Sequence, residues 1–336
     1  MDFQTYPSSF ALAVLDAAAA KGVDQGGIVG KLGIATDVLQ SEQGRISAKQ
    51  LQEITQYVAI ALNDESLGFL QQPMPVGSFR MMCLACLGAP NLREVIKRSQ
   101  EFYGLFSESL PINHYEKDGK TYWTIDSGIT SSDPKNYMIP AFFGALYRWS
   151  CWMINQKIVL DSVAFKSAKT DIPSDFQVLF SCPIKFSATE NYLCFDTAYL
   201  DKDIVQNEAS LKVFLRGGNA GLLAHPEDND SYHFKVQGIL RQAASALNIE
   251  DVAEQLHCSP ETLRRKLKQE GTSVKQIKDG LRRDEAIYLL SRGNHSIEEV
   301  AAQVGFADST AFFRAFKRWT GVTPRSYIQS TDEADH

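Results

Sequence analysis

Long apolar runs are missing from this sequence, and so is the pattern of a secretory leader. No stretch of the 336 residues approaches the roughly 20 apolar residues that a membrane-spanning helix needs. The N-terminus has no basic region followed by an apolar run and a cleavage site. These absences predict a soluble, cytoplasmic protein without a membrane partner.

Cysteine is also scarce, and the six residues are scattered along the chain. The spacing of Cys83 and Cys86 would suit a zinc or redox site, yet no second pair of Cys or His follows at a matching distance. Both residues lie in an apolar stretch that is typical of a buried helix turn, where a thiol behaves as a small hydrophobic group. The sequence therefore predicts no metal site and no cofactor.

Two helix-turn-helix patterns lie 48 residues apart in the last third of the chain. The first runs from Asp251 to Ser259 and the second from Glu299 to Ser309. Each pattern places a small Ala four residues before a tight turn, at His257 or Gly305, and a capping residue then opens a second helix. A duplicated pattern of this kind predicts a protein that reads the major groove of DNA.

Capping signals and apolar periodicity define the helices around these patterns. Ser296 and Glu299 form a capping box, and Asp308 is placed to cap the second recognition helix. The stretch from Thr272 to Ser291 reads as one long helix between the two patterns. Such a rigid spacer would set two recognition helices about 34 Å apart, which is one turn of DNA.

The charge distribution divides the chain in the same place. Residues 231–330 contain 15 Lys and Arg against 11 Asp and Glu, a net charge of +4. Residues 1–230 contain 19 basic against 26 acidic residues, a net charge of −7. A modest positive charge suits DNA binding when it is focused on one face, because phosphate contacts supply most non-specific affinity.

The segment from Tyr232 to Ile328 carries a set of residues at fixed spacing, namely Ala286, Leu289, Leu290, Ile297, Glu299, Val300, Ala301, Val304, Gly305, Phe306, Asp308, Phe313, Phe316, Lys317, Gly321, Val322, Thr323, Pro324 and Tyr327. In this set the segment resembles the DNA-binding domain of the AraC/XylS family of bacterial transcription regulators. The resemblance implies two helix-turn-helix units joined by a linker helix, which bind adjacent segments of the major groove. By position, Arg264, Arg265, Thr310 and Arg314 resemble the DNA-contacting residues of the family. Supporting contacts are expected from Lys268, Ser309 and Lys317.

The front of the chain has a mixed pattern that predicts an α+β sensing domain over residues 1–215. Helices are predicted at Ser9–Ala20, Gly33–Leu39, Ser47–Leu62, Asn91–Ser107 and Pro140–Asn155, and strands at Thr121–Ile125, Val163–Phe165, Ile184–Phe186 and Tyr192–Phe195. Phe3–Pro7 is predicted to be a connection or a short helix. A flexible linker at 216–231, an all-α DNA-binding domain at 232–330 and an acidic tail at 331–336 complete the predicted organisation.

The stretch Val76–Phe79, the helix from Asn91, and the segment Gln156–Phe186 resemble the arabinose-binding-like N-terminal domain found in one branch of that family. The resemblance implies an effector-binding and dimerisation domain, although nothing in the residues argues for a sugar. Arg148 and Arg80 each lie in an apolar stretch, and a buried Arg needs an anion. We therefore expect a small, partly apolar carboxylate as effector, held by one of these Arg residues and by aromatic residues such as Trp123 and Phe142. The alternative, in which each Arg pairs with an acid of the protein or reaches solvent, stays open.

These observations predict a cytoplasmic, nucleoid-associated homodimer that binds promoter DNA and a small-molecule effector and contacts RNA polymerase. Whether it activates or represses is left open by the sequence. One alternative is a regulator whose front half binds only protein partners. The other is an enzyme fused to a DNA-binding module. The sequence contains no nucleophile elbow and no phosphate-cradling Gly loop, and this argues against an enzyme.

Overall fold

The computed structural model describes residues 5–105, 112–125, 136–169, 180, 182–216, 231–242 and 247–328. The chain forms two compact units. The first unit comprises residues 1–9, 26–51 and 227–336, and the second comprises residues 10–25 and 52–226. Most of the predicted linker and the whole predicted acidic tail lie outside the described residues.

The described helices are α1 (Ser8–Ala19), α2 (Gln25–Lys31), α3 (Thr36–Gln40), α4 (Ala48–Leu62), α5 (Ser78–Cys86), α6 (Leu92–Gly104), α7 (Met138–Met153), α8 (Glu208–Leu215), α9 (Tyr232–Gln242), α10 (Ile249–Gln255), α11 (Pro260–Gln269), α12 (Val274–Ser291), α13 (Ile297–Gln303) and α14 (Ser309–Thr320). The described strands are β1 (Thr5–Pro7), β2 (Arg45–Ser47), β3 (Ile112–Lys117), β4 (Lys120–Ile125), β5 (Leu160–Ala164), β6 (Ile184–Lys185) and β7 (Asn191–Asp196). Short 3₁₀ turns lie at Thr197–Asp201 and Pro324–Tyr327. The predicted fold class, an α+β front and a helical C-terminal part, is confirmed.

The second unit is built on a five-stranded sheet in the order β3-β4-β7-β5-β6. All neighbouring strands are antiparallel except β5 and β6, which run parallel. Burial alternates along β4, where Thr121, Trp123 and Ile125 point into the core, as the two-residue period of a strand requires. The helices of this unit include α7, whose Phe143, Leu146 and Trp149 are almost completely buried. Such an apolar helix is stable only inside a core.

In the first unit, the N-terminal residues lie against the C-terminal helices. Strand β1 pairs antiparallel with β2, so the prediction of a connection or short helix at Phe3–Pro7 was wrong. The reason is that a three-residue strand is fixed by a partner some 40 positions away and not by its own sequence. The predicted helix Gly33–Leu39 is also displaced, because α3 begins only at Thr36 and a separate α2 precedes it.

Polar contacts join this N-terminal segment to α12 and to the end of the chain. The hydroxyl of Thr5 donates a hydrogen bond to Asp284 at 2.6 Å, and the backbone N–H of Arg45 donates to the hydroxyl of Tyr327 at 3.1 Å. Ser41 donates to the carbonyl of Thr320 at 2.8 Å. The compact units thus do not coincide with a boundary at residue 215, because residues 1–9 and 26–51 lie with the C-terminal helices. The predicted limits of independently folding domains stay predictions.

Candidate functional site

The first helix-turn-helix is α10 and α11, and local hydrogen bonds define its turn. Asn248 and Asp251 form a capping box at the start of α10. His257 has φ of 52°, so it occupies the left-handed region that the sequence predicted for it. Ser259 accepts the backbone N–H of Thr262 at 3.1 Å and opens α11. Leu263 and Leu267 bury one face of α11 in the core, which leaves the opposite face in solvent.

The second helix-turn-helix, α13 and α14, repeats this construction. The backbone N–H of Ser296 donates to Glu299, and the N–H of Glu299 donates to the hydroxyl of Ser296, which confirms the predicted capping box. The backbone and side-chain hydrogen bonds from Ser296 hold the pKa of Glu299 below its usual value. Gly305 has φ of 82° at the turn, and Asp308 accepts the N–H of Ala311 at 2.7 Å as the cap of α14. Phe312 and Phe316 are fully buried, which fixes the outward face of α14.

The residues that the sequence assigned to DNA contacts lie on the outward faces of the two recognition helices, α11 and α14. Six of them are exposed and Ser309 is half-buried; the exposed ones are Arg264, Arg265, Lys268, Thr310, Arg314 and Lys317. Arg264 makes surface ion pairs with Glu250 at 3.7 Å and Glu261 at 3.5 Å. Exposed pairs of this kind are weak and screened, so they leave the guanidinium available to a stronger anion.

A groove of about 600 Å³ separates α11 from the start of α12. Arg264 and Lys268 line it from α11, and Lys275 and Lys278 line it from α12. The two α12 lysines were not among the predicted DNA contacts, all of which lie on the recognition helices. Their spacing with Arg282, at positions i, i+3 and i+7 of one helix, was visible in the sequence and is the signal that could have identified them.

In the second unit, a cavity of about 390 Å³ lies among α4, α5, α6, α7 and α8. This volume is within the usual range for small-molecule sites. Its lining is mostly apolar and is formed by Thr55, Glu65, Ser66, Leu67, Phe69, Met74, Val76, Gly77, Phe79, Arg80, Tyr103, Tyr137, Met138, Ala141, Phe142, Ala145, Leu146, Phe214 and Leu215.

Two acidic residues shape the loop before α5. Asp64, which is buried, accepts hydrogen bonds from the backbone N–H groups of Ser66, Gly68 and Met74. Glu65 accepts the N–H of Gly77 at 2.6 Å and the N–H of Phe79 at 2.7 Å. Both carboxylates are therefore engaged by the backbone, and they hold the loop that forms one wall of the cavity.

The cavity brings together two of the four residues predicted to bind an effector. Arg80 and Phe142 line it, whereas Arg148 and Trp123 do not. Arg148 is half-buried on α7, and Trp123 is a residue of β4 whose side chain is 1% exposed in the core. Arg80 is exposed and forms no ion pair with any residue that the structure describes. Of the two predicted anchors, Arg80 is thus the one with access to the cavity.

Tyr103 lines the cavity and was not among the residues predicted from the sequence to bind an effector. It is 2% exposed, and its hydroxyl has no hydrogen-bond partner among the described residues. Burial raises the pKa of Tyr103, so the hydroxyl keeps its proton and can donate it in a hydrogen bond. A buried donor of this kind favours a ligand that carries an acceptor.

The pair Cys83 and Cys86 lies inside α5, as the interpretation of a buried helix turn required. Both thiols are free and fully buried. Burial raises the pKa of Cys86 to about 12 and that of Cys83 further, so neither is a thiolate near neutral pH.

Within the described ranges, no three His, Cys, Asp or Glu residues are grouped as metal ligands. None of the helices that the structure describes combines the length and the apolar character needed to cross a bilayer.

Comparisons with known proteins match both parts of the chain. Residues 22–204 match the model of the arabinose-binding domain of AraC transcription regulators, and residues 252–330 match a helix-turn-helix domain model. The ornithine utilization regulator of Pseudomonas aeruginosa is 24% identical over 327 residues, which is 96% of each chain. The urease operon transcriptional activator of Escherichia coli is 32% identical over 98 residues, or 29% of this chain and 33% of that one.

Among solved structures, the transcriptional regulator CdpR from Pseudomonas aeruginosa covers 98% of this chain and 100% of its own at 18% identity. The TM-score of this match is 0.32. The two sequence relatives are both regulators of transcription or of a metabolic pathway by name. The arabinose-binding-domain match alone spans more than half of the sequence. This chain belongs to the AraC family of transcription regulators, which bind DNA and carry an N-terminal ligand-binding domain.

Proposed function

We propose that this regulator binds a partly apolar, anionic small molecule in the cavity of its second unit and thereby changes how α11 and α14 bind promoter DNA. The observation that carries the effector class is the combination of an apolar cavity with one exposed guanidinium, Arg80, at its lining. An apolar body would fill the space between α5 and α7. A carboxylate would lie at Arg80, where a planar guanidinium binds it with two parallel hydrogen bonds.

The charges in the lining fix the orientation of such a molecule. Glu65 is the acidic residue of the lining, and backbone N–H groups already occupy its two oxygens. Its negative charge would repel an anion placed beside it, so Arg80 is the lining residue that would bind the carboxylate. Tyr103 then offers its buried hydroxyl to an acceptor on the apolar part of the ligand.

On the DNA side, Arg264, Arg265 and Lys268 of α11 would contact one groove segment. Ser309, Thr310, Arg314 and Lys317 of α14 would contact the next. Their exposure on the outward faces of two capped helices supports this assignment. The protein would act in the cytoplasm, on the nucleoid, as a homodimer that contacts RNA polymerase. These partners follow from the family and not from any contact within the chain.

A thermal-shift screen of carboxylates on the full-length protein tests the effector assignment. The panel should include aliphatic and aromatic monocarboxylates, their uncharged amides, and ornithine, because one relative is named for ornithine utilization. We expect monocarboxylates with apolar bodies to raise the melting temperature and their amides to have a smaller effect. Ornithine carries two ammonium groups beside its carboxylate, and for these the cavity lining offers only the engaged carboxylate of Glu65.

Two Arg variants provide the matched comparison. Arg80→Ala should abolish the shift, whereas Arg148→Ala should retain it, because Arg148 does not line the cavity. Each variant is compared with its own ligand-free melting temperature, so a loss of stability does not obscure the result. A shift retained in Arg80→Ala and lost in Arg148→Ala would contradict the proposed anchor. A protein that responds to no compound but binds a regulatory protein would support the alternative of a front half with protein partners only.

A further inference from the structure

Three basic residues lie along one side of the linker helix α12. Lys275, Lys278 and Arg282 follow one another at positions i, i+3 and i+7, and side chains at such spacings share a helix face. Seven residues of α-helix rise about 10 Å. That length corresponds to about three nucleotide steps of one DNA strand. We call these three residues the α12 stripe.

One end of the α12 stripe continues directly from the first recognition helix. Lys275 and Lys278 line the groove whose other wall carries Arg264 and Lys268 of α11. Four cations therefore share one groove, and among them Arg264 also forms the weak surface pairs with Glu250 and Glu261. Like charges repel unless an anion lies between them. The pKa of Lys278 is lowered, first by burial and then by the positive charge of the neighbouring Arg282.

The other end of the α12 stripe lies at the turn of the second helix-turn-helix. The guanidinium carbon of Arg282 is 5.6 Å from the centre of the Phe306 ring. A Cβ built on Gly305 would lie 3.4 Å from a terminal nitrogen of Arg282. Stacking on the ring holds the guanidinium in place, and Nε of Arg282 is buried without a hydrogen-bond partner among the described residues.

The acids near the α12 stripe do not neutralise it. Lys275, Lys278 and Arg282 form no ion pair with any described residue. Asp279 is the nearest acid in sequence, and its carboxylate oxygen lies 3.9 Å from a guanidinium nitrogen of Arg318, outside the α12 stripe. Asp251 is close enough to act on Lys278, but its carboxylate accepts the backbone N–H of Asn248. Glu285 follows Arg282 by three residues, and burial raises its pKa.

We propose that the α12 stripe binds phosphates of the DNA segment that lies between the two recognition helices. This inference rests on DNA binding by α11 and α14. Its partner is the sugar–phosphate backbone and not the bases, because a lysine binds phosphate as a point charge without reading sequence. The α12 stripe would thus set the register of both helices on the duplex and add affinity without specificity.

The test measures how DNA affinity of the full-length protein depends on salt. Fluorescence anisotropy is recorded over a series of NaCl concentrations with two labelled duplexes, one a binding site selected from genomic DNA and one of unrelated sequence. Each phosphate contact contributes about 0.9 to the slope of log affinity against log salt. The double variant Lys275→Gln with Lys278→Gln should therefore lower the slope by about 1.8, equally on both duplexes.

Two controls separate a phosphate contact from a structural effect. Lys275→Arg with Lys278→Arg keeps both charges and should keep the wild-type slope. Arg292→Gln removes one charge at the C-terminal end of α12, where Arg292 donates to the hydroxyl of Tyr288, and should also leave the slope unchanged. An unchanged slope in the double Gln variant would overturn the proposal, as would equal losses in the Gln and Arg variants or an equal loss in Arg292→Gln. A wild-type protein without salt-dependent binding to either duplex would instead contradict DNA binding itself.

Discussion

At the scale of single residues, α14 carries an exposed predicted DNA contact and a buried core residue within one turn of helix. Arg314 is exposed, whereas Phe316, two positions later, is fully buried. Arg314→Ala should weaken DNA binding by about 1–3 kcal/mol and change the free energy of unfolding by only a few tenths of a kcal/mol, as is usual for surface sites. Phe316→Ala should cost about 3–5 kcal/mol of stability through lost burial and the cavity left behind.

Chemical denaturation and DNA titration of the same two preparations check this prediction. The folded state of Phe316→Ala must be measured first, because a partly unfolded protein loses DNA binding for a trivial reason. If Arg314→Ala lowers stability as much as Phe316→Ala does, Arg314 holds the fold and is not a DNA contact.

Glu299 gives a prediction about pH. Hydrogen bonds from Ser296 lower its pKa in the folded protein, so its charge stabilises the fold at pH values above its unfolded pKa. That stabilisation is lost as the pH falls through the depressed folded value. Glu299→Gln keeps a capping-box geometry but does not titrate. Thermal melts of the two proteins should differ near neutral pH and converge in acid, and a constant difference across the whole range would contradict the assignment.

At the scale of elements, sequence patterns correctly predicted the local features that contacts between residues close in sequence determine. The capping box at Ser296, the left-handed His257 and the long linker helix all depend on contacts within a few residues, and all three are present. Strand β1 was missed because its partner β2 lies far away in the sequence. Tyr103 was missed as a cavity residue for the same reason, since only packing among several helices shows where a buried aromatic residue meets empty space.

The contact between the N-terminal segment and the 3₁₀ turn that follows α14 gives a prediction for the first unit. Tyr327 is buried, burial raises its pKa to about 12, and its hydroxyl accepts the backbone N–H of Arg45. Tyr327→Phe leaves that N–H without its acceptor, which should cost about 1–3 kcal/mol. The measurement is the free energy of unfolding of the full-length protein.

A fragment of residues 227–336 is the control for this prediction. It lacks Arg45, so Tyr327→Phe should have little effect in it. The fragment should also melt at a lower temperature than the same helices in the full chain, because it lacks the hydrogen bonds to Asp284 and Thr320. Equal effects of Tyr327→Phe in both proteins would mean that the hydroxyl stabilises the fold without Arg45.

At the scale of the whole molecule, one chain joins an acidic N-terminal part to a basic C-terminal part that contains both helix-turn-helix units. Residues 1–230 carry a net charge of −7 and residues 231–330 a net charge of +4. A net negative charge of this kind disfavours DNA binding at long range unless cations are focused on one face. The exposed cations of α11 and α14, together with the proposed phosphate contacts of the α12 stripe, would provide such a focus.

Effector and DNA should influence each other's binding to the same extent. If a carboxylate in the cavity of the second unit changes DNA affinity by some factor, DNA must change carboxylate affinity by that same factor. Coupling of about 1–3 kcal/mol would correspond to a factor of about 5–150. Calorimetric titration of the compound into the free protein and into its DNA complex measures one side, and anisotropy with and without the compound measures the other. If the compound binds the free protein and the DNA complex with the same affinity, the cavity holds a ligand that does not control DNA binding. The reason is that a ligand with equal affinity for two states cannot shift the equilibrium between them.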